Sequence, residues 1–269
     1  MGYCYSRRAN PQANKVLAFE SSFHGRMLVS LCSTWNKTKR EPFQWEGYET
    51  EYSFVPEDPS GQLNHDFPKS WAEVWDQAPS RNFKIPEDWN NDPLIAAEVK
   101  SLKDVRKKLL SKKIFTIIIE PMQCEGGDRY LTNRFHSALL LMARSFKVPV
   151  INDEVQTGFH LGKEFFWHRE LNLLGLNNER LFPDYVVCAK KAQVGLVLSH
   201  HSRNLQEQHQ EFQVASVIRG YTHGLALDQA QSKIQSLEKK SSERLNSLVE
   251  KFSAYIESPR SNGLAFSFN

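Results

Sequence analysis

An α/β fold built on a mostly parallel sheet is predicted by three features of this 269-residue chain. Short apolar, β-branched runs recur at 114–120 (IFTIIIE), 148–154 (VPVINDE) and 185–190 (YVVCAK). Each ends abruptly in ionisable residues, and helical or loop-like stretches separate them. Apolar runs of this length, with no polar alternation, are the pattern of strands buried on both faces of a sheet. The chain is long enough to bury a core, and 40% apolar with 24% charged residues is ordinary for a folded protein.

Residues 1–14 are polar and turn-like. KVLAFE (15–20) reads as a strand entering the core, and SSFHGR (21–26) as the loop after it, where Gly25 permits close backbone approach to a ligand. Taken alone, Phe23, His24 and Arg26 read as one core aromatic and two solvated polar groups. Residues 35–93, rich in Trp, Pro, Asp, Asn and Ser, read as a long ordered surface excursion anchored by tryptophans, with short helical pieces near 69–76. From Pro93 to Lys113, Leu94, Ala97, Leu102, Val105 and Leu109 fall at helical spacing, and the basic end suits the helix dipole. A second helix over Asn133–Phe146 joins the strands 114–120 and 148–154 into a right-handed crossover. A helical piece at 167–174 and a loop at 175–184 lead to the lysine-bearing strand, and 195–200 reads as a neighbour able to pair antiparallel. Residues 202–224 are polar and without clear pattern, 225–257 forms a long, mostly polar helix, and 263–269 starts a strand. No internal repeat is visible.

Composition narrows the function. A net charge of +3 with interspersed signs gives no nucleic-acid footprint. No apolar run is long enough to span a bilayer, and the start MGYCYSRRANPQ has no hydrophobic region of a signal peptide. MGYCYS fits the loose myristoylation pattern, but six residues are too few to carry that reading. The four cysteines form no CxxC pair and no metal cluster, so no metal is expected; scattered thiols suit a reducing, cytoplasmic location.

In open α/β sheets, ligands sit beyond the carboxyl ends of the strands. Asp153 and Lys190 therefore reach one rim from two different strands. A carboxylate and an amine meeting there are what a pyridoxal phosphate site requires: the lysine forms a Schiff base, and the acid keeps the pyridine nitrogen protonated. A structural ion pair at strand ends satisfies the same spacing. FHGR (23–26), IIIEPMQCEGGDR (117–129), INDEVQTG (151–158) and DYVVCAKKAQVG (184–195) occur in one order across most of the chain. Together they resemble the class III, fold-type I, pyridoxal-phosphate aminotransferases, nearest the lysine 6-aminotransferase branch, with 4-aminobutyrate aminotransferase next.

The resemblance implies an incomplete three-layer α/β/α large domain over 1–224, followed over 225–269 by a connecting helix and the start of a small α+β domain. It implies a homodimer that uses pyridoxal 5'-phosphate to move an amino group, by a ping-pong route, from a lysine- or 4-aminobutyrate-like donor to a 2-oxo acid such as 2-oxoglutarate. Asp153 matches the acid on the pyridine nitrogen and Lys190 the lysine that bonds the cofactor, with Lys191 structural. Gln156 matches the contact to the ring's 3-oxygen and Phe23 the stacking aromatic, with His24 also among the cofactor-binding residues. Arg26 matches the arginine on the substrate's distal carboxylate, and Glu125 the glutamate that switches an arginine between two substrates. Burial and the Lys191 charge are expected to make Lys190 easier to deprotonate. The chain also departs from the family. It begins inside the large domain, without the Gly/Ser-rich loop that holds the cofactor phosphate. It ends before the arginine that Glu125 would switch. Val217 stands where a threonine reaches the phosphate across the dimer, with Ser216 and Thr222 the nearest hydroxyls. A non-catalytic remnant that keeps the fold and a partner-binding surface is the alternative function.

Overall fold

The computed structural model describes residues 11–43, 48–199 and 214–268. The MGYCYS start, Cys4 and the polar stretch 202–213 lie outside these residues. The strands are β1 (Lys15–Phe19), β2 (Glu49–Ser53), β3 (Ile114–Ile119), β4 (Met122–Gln123), β5 (Arg129–Tyr130), β6 (Val150–Asp153), β7 (Tyr185–Cys188), β8 (Leu196–Ser199), β9 (Arg260–Asn262) and β10 (Ala265–Ser267). The helices are α1 (Leu28–Cys32), α2 (Lys37–Arg40), α3 (Lys69–Asp76), α4 (Pro93–Leu110), α5 (Asn133–Ser145), α6 (Val214–Gln229) and α7 (Gln231–Lys251).

One six-stranded sheet runs in the order β2-β1-β3-β6-β7-β8. Every pairing in it is parallel except β7 with β8, which is antiparallel as its sequence suggested. All six residues of β3 are buried, in keeping with a central strand. Alternation divides the side chains between the faces. Leu17, Phe19, Ile117 and Ile119 join the large core with α3, α4 and α5, while Val16, Ala18, Phe115, Ile118 and Ile151 form a smaller cluster on the other face. Short connections then follow from capping. Asp92 accepts the Ile95 N–H at the start of α4, where Pro93 supplies the preset φ, and Thr132 accepts the Phe135 N–H at the start of α5.

Five expectations change or sharpen. The excursion at 35–93 contributes an edge strand, β2, because Glu49–Ser53 pairs in register with the whole of β1. Two of its tryptophans are core, not surface anchors: Trp71 and Trp75 are fully buried on α3, while Trp35 and Trp89 are half-buried. The helical piece at 167–174 reduces to a single 3-10 turn at Trp167–Arg169, because the Trp167 and His168 amides donate to Glu154. The long polar helix is two helices that meet at Ala230, and the first begins at Val214. The strand at 263–269 is the second half of a hairpin, β9–β10.

Candidate active site

The carboxyl ends of β1, β3, β6 and β7 lie side by side, so the loops that follow them share one rim. Below that rim is a cavity of about 400 Å³, lined among others by Phe23, His24, Glu120, Glu125, Asp153, Val155, Gln156 and Lys190. Six of the seven sequence-selected residues are therefore brought together. Arg26 is the exception: it is exposed, with its guanidinium 5.7 Å from the centre of the Phe23 ring, and it is absent from the cavity wall.

Asp153 ends β6, and strand alternation sends it and Glu154 in different directions. Asp153 faces the cavity, where its Oδ2 accepts the His24 Nδ1–H at 2.9 Å and its Oδ1 accepts the Val155 N–H at 3.2 Å. Glu154 is fully buried and accepts from Trp167 N, His168 N and His168 Nδ1 at 2.6, 3.0 and 2.5 Å, pinning the loop after β6. His24 is fixed in turn by its own N–H, which donates to Thr34 Oγ1 at 3.0 Å. Between them, Gly25 takes φ +126°, and a Cβ there would lie 2.7 Å from Ser30 Oγ. The glycine serves the packing of its own loop.

The twin lysines also part company. Lys190 reaches the cavity, its ammonium hydrogen-bonded to Gln156 Oε1. Lys191 turns away and donates to the Gly158 carbonyl at 3.0 Å. Burial falls on Lys191 and lowers its pKa to about 8, whereas Lys190 is exposed. Glu125 is itself ion-paired. Lys39 Nζ lies 2.8 Å from its Oε1, and that hydrogen bond, with the Lys39 charge, holds the Glu125 pKa low. This cation comes from α2 and is a lysine, not the switched arginine that the resemblance implies.

Glu120, Cys124 and Asp128 line the cavity too and were missed. For Glu120 the signal was present, since it ends the apolar run of β3 as Asp153 ends that of β6. Burial raises the Cys124 thiol to about 12, which leaves it a poor nucleophile. Burial, opposed by the His24 charge and reinforced by Asp153, raises Glu120 to about 7. Between the ordinary carboxyl value of 4.5 and about 7, the folded chain keeps a proton that the unfolded chain has released. Stability therefore falls as pH rises through that window. Glu120→Gln is expected to raise the melting temperature at pH above about 7 and to leave it nearly unchanged near the ordinary carboxyl value. An equal shift at both pH values would contradict the assignment.

The donor set fits a pyridine ring and an amine. Asp153 is a buried, doubly hydrogen-bonded carboxylate, and Phe23 and Val155 offer apolar surfaces on the same wall. It does not fit a phosphate: four carboxyl residues line the cavity with a single lysine, and none of the described lining residues carries a hydroxyl. Thr222 donates to the Ile218 carbonyl on its own helix, and the side chains of Ser216 and Val217 lie outside the described residues.

The family model for class-III aminotransferases matches residues 1–269. A 4-aminobutyrate aminotransferase of Emericella nidulans is 30% identical over 186 residues, which are 68% of this chain and 31% of that protein. A 4-aminobutyrate aminotransferase of Dictyostelium discoideum is 28% identical over 66% of this chain and 30% of its own length. The match thus spans about a third of the length of these relatives. Among solved structures, a lysine aminotransferase from M. tuberculosis superposes with a TM-score of 0.68 at 21% identity, covering 98% of this chain and 57% of that one. At that identity it is the fold that is shared.

Proposed function

Because the chain belongs to the class-III aminotransferases, we propose that it forms the ring-binding part of a pyridoxal-phosphate-dependent transaminase. The observation that carries this reading is the delivery of Asp153 and Lys190, from the ends of β6 and β7, to one cavity walled by Phe23. The donor in this reading is an amine or ω-amino compound of the lysine or 4-aminobutyrate kind, and the acceptor a 2-oxo acid such as 2-oxoglutarate. The relatives' names support that donor class. The division at 224/225, a homodimer and a cytoplasmic location belong to the same reading; among the described residues no helix is long and apolar enough to cross a membrane.

When bound, the cofactor ring supplies an electron sink for the donor's C–H bond. The chain's own residues hold it and move the proton. Asp153, oriented by His24 and Val155, would accept the ring N–H, so the ring stays cationic. Phe23 would flank a ring face and Gln156 the 3-oxygen. Lys190 would take the proton from the donor carbon and return it one position away. Glu125, with Lys39, marks the substrate side of the cavity, and Arg26 would have to swing inward to meet a distal carboxylate. Phosphate-binding groups would come from outside the described residues or from a second copy.

A second reading, a non-catalytic remnant, is favoured by the acidic cavity wall and the exposure of Lys190. Absorption spectroscopy separates the two. The aminotransferase reading expects a protein-bound visible band on adding pyridoxal phosphate, shifted by lysine or 4-aminobutyrate; a spectrum equal to that of free cofactor supports the remnant. Asp153→Ala is expected to keep the fold and lower transamination by about 10²-fold or more, since the proton-transfer step loses its electron sink. Retained activity in that variant would count against the pyridine-nitrogen role.

A further inference from the structure

Glu120 has no part in the mechanism above, yet it sits where three structural elements meet. It is buried at the end of β3, between the Phe23–His24 loop and the end of β6. Its Oε1 accepts the Phe23 N–H at 2.8 Å, and the Cys124 backbone N–H also donates to it. The turn after it grips the same loop a second time: Gln123 Nε2 donates to the Glu20 carbonyl at 2.9 Å, and Gly126 packs so closely that a Cβ would lie 2.4 Å from the Ser21 carbonyl oxygen. The aromatic that walls the cavity is thus held from beneath by the β3 turn, and the carboxyl group in that grip is that of Glu120.

We propose that Glu120 is a positioning residue that clamps the Phe23–His24 loop over the cavity and, by gaining or losing one proton, changes the field that the Asp153–His24 pair presents to a bound ring. This rests on the ring-binding reading above. The groups that face Glu120 are His24 from the loop after β1, Asp153 from β6 and Cys124 from its own turn. Glu125, Asp128 and Lys190 complete the charged surroundings of the cavity. Protonated, Glu120 is a neutral acceptor for the Phe23 amide. Ionised, it adds a second negative charge beside Asp153, strengthens the hydrogen bonds from Phe23 and Cys124, and favours a cationic ring. The change falls across neutrality, because burial has moved this carboxyl up to about 7.

The test uses the full chain, Glu120→Gln, and pyridoxamine as a cationic ring probe without a phosphate. Amide NMR spectra are followed from about pH 5.5 to about pH 8.5, which brackets the titration. The Phe23 and Cys124 amide resonances of the wild type are expected to move with one midpoint near 7, and those of Glu120→Gln to stay put. Pyridoxamine should bind the two proteins about equally at the acid end, and the wild type about tenfold more tightly at the alkaline end, the effect of one added charge at short range. Because the ratio is taken between proteins, the probe's own ionisations cancel. Amides that titrate alike in both proteins, or an affinity ratio that does not change with pH, overturn the proposal. Should Glu120→Gln fail to fold, a wild-type Phe23 amide with no midpoint near 7 overturns it alone. Absence of any pyridoxamine shift in either protein defeats the ring-binding reading, and with it the ring half of this proposal, whereas a titrating Phe23 amide would then leave the clamp standing.

Discussion

Lys190→Ala is expected to lower transamination by at least about 10³-fold, the range lost when a positioned acid–base group is removed. Borohydride reduction of the wild type with pyridoxal phosphate should fix the cofactor on Lys190, and the variant should carry no tag at that position. The informative competitor is Lys191. Its pKa is lowered to about 8, so near neutrality it carries an appreciable share of nucleophilic free amine, as expected of a desolvated lysine. Geometry opposes it, because its Nζ is spent on the Gly158 carbonyl at 3.0 Å while Lys190 shares the cavity with Asp153 and Gln156. A peptide map that places the tag on Lys190 shows that placement decides. A tag on Lys191 shows that basicity decides and overturns the assignment, and no tag on either supports the remnant. Lys191→Ala is expected to keep the Lys190 tag.

Arg134→Met is expected to destabilise the fold by about 3–5 kcal/mol at neutral pH, the usual cost of leaving one half of a buried pair behind. Glu98 on α4 is fully buried, with its Oε2 2.6 Å from Arg134 Nε and its Oε1 2.5 Å from Thr132 Oγ1. The guanidinium also lies 5.5 Å from the centre of the Trp71 ring, so this contact joins α3, α4 and α5. Burial raises the Glu98 pKa and the Arg134 hydrogen bond and charge oppose that rise. Without Arg134, protonation becomes the only route to a neutral side chain, so the loss should shrink as pH falls. The double variant Glu98→Gln, Arg134→Met removes the charge together with its partner and should recover a large part of the loss. Denaturant unfolding measures both. A double variant no more stable than Arg134→Met would show that packing on Trp71, not the ion pair, carries the effect.

The strands that build the site were legible because their residues obey local rules. IFTIII, VIND and YVVC are short apolar runs, and each is a parallel strand of the sheet. The caps Asp92 and Thr132 stand where α4 and α5 begin. From strand ends alone, Asp153 and Lys190 could be assigned to one rim, and four motifs in order pointed to the family that the matched relatives share. β2 was not legible: ETEYS is polar, and its strand character comes from pairing with β1, more than thirty residues earlier in the chain. The burial of Trp71 and Trp75 was hidden for the same reason, since a tryptophan's surroundings are set by distant helices.

Within the site, sequence determined which chemical groups arrive, and tertiary structure decided what each one does. Asp153 and Glu154 are adjacent carboxylates, as Lys190 and Lys191 are adjacent amines; alternation along a strand or turn sends one of each pair to the cavity and the other to a backbone partner or the core. Lys39 and Glu125 are far apart in the chain, and only the fold makes them an ion pair. Protonation follows the same division. A carboxyl or an amine brings its ordinary affinity for a proton, but burial and neighbouring charge are properties of the packed chain, and they move Glu120 and Lys191 toward neutrality.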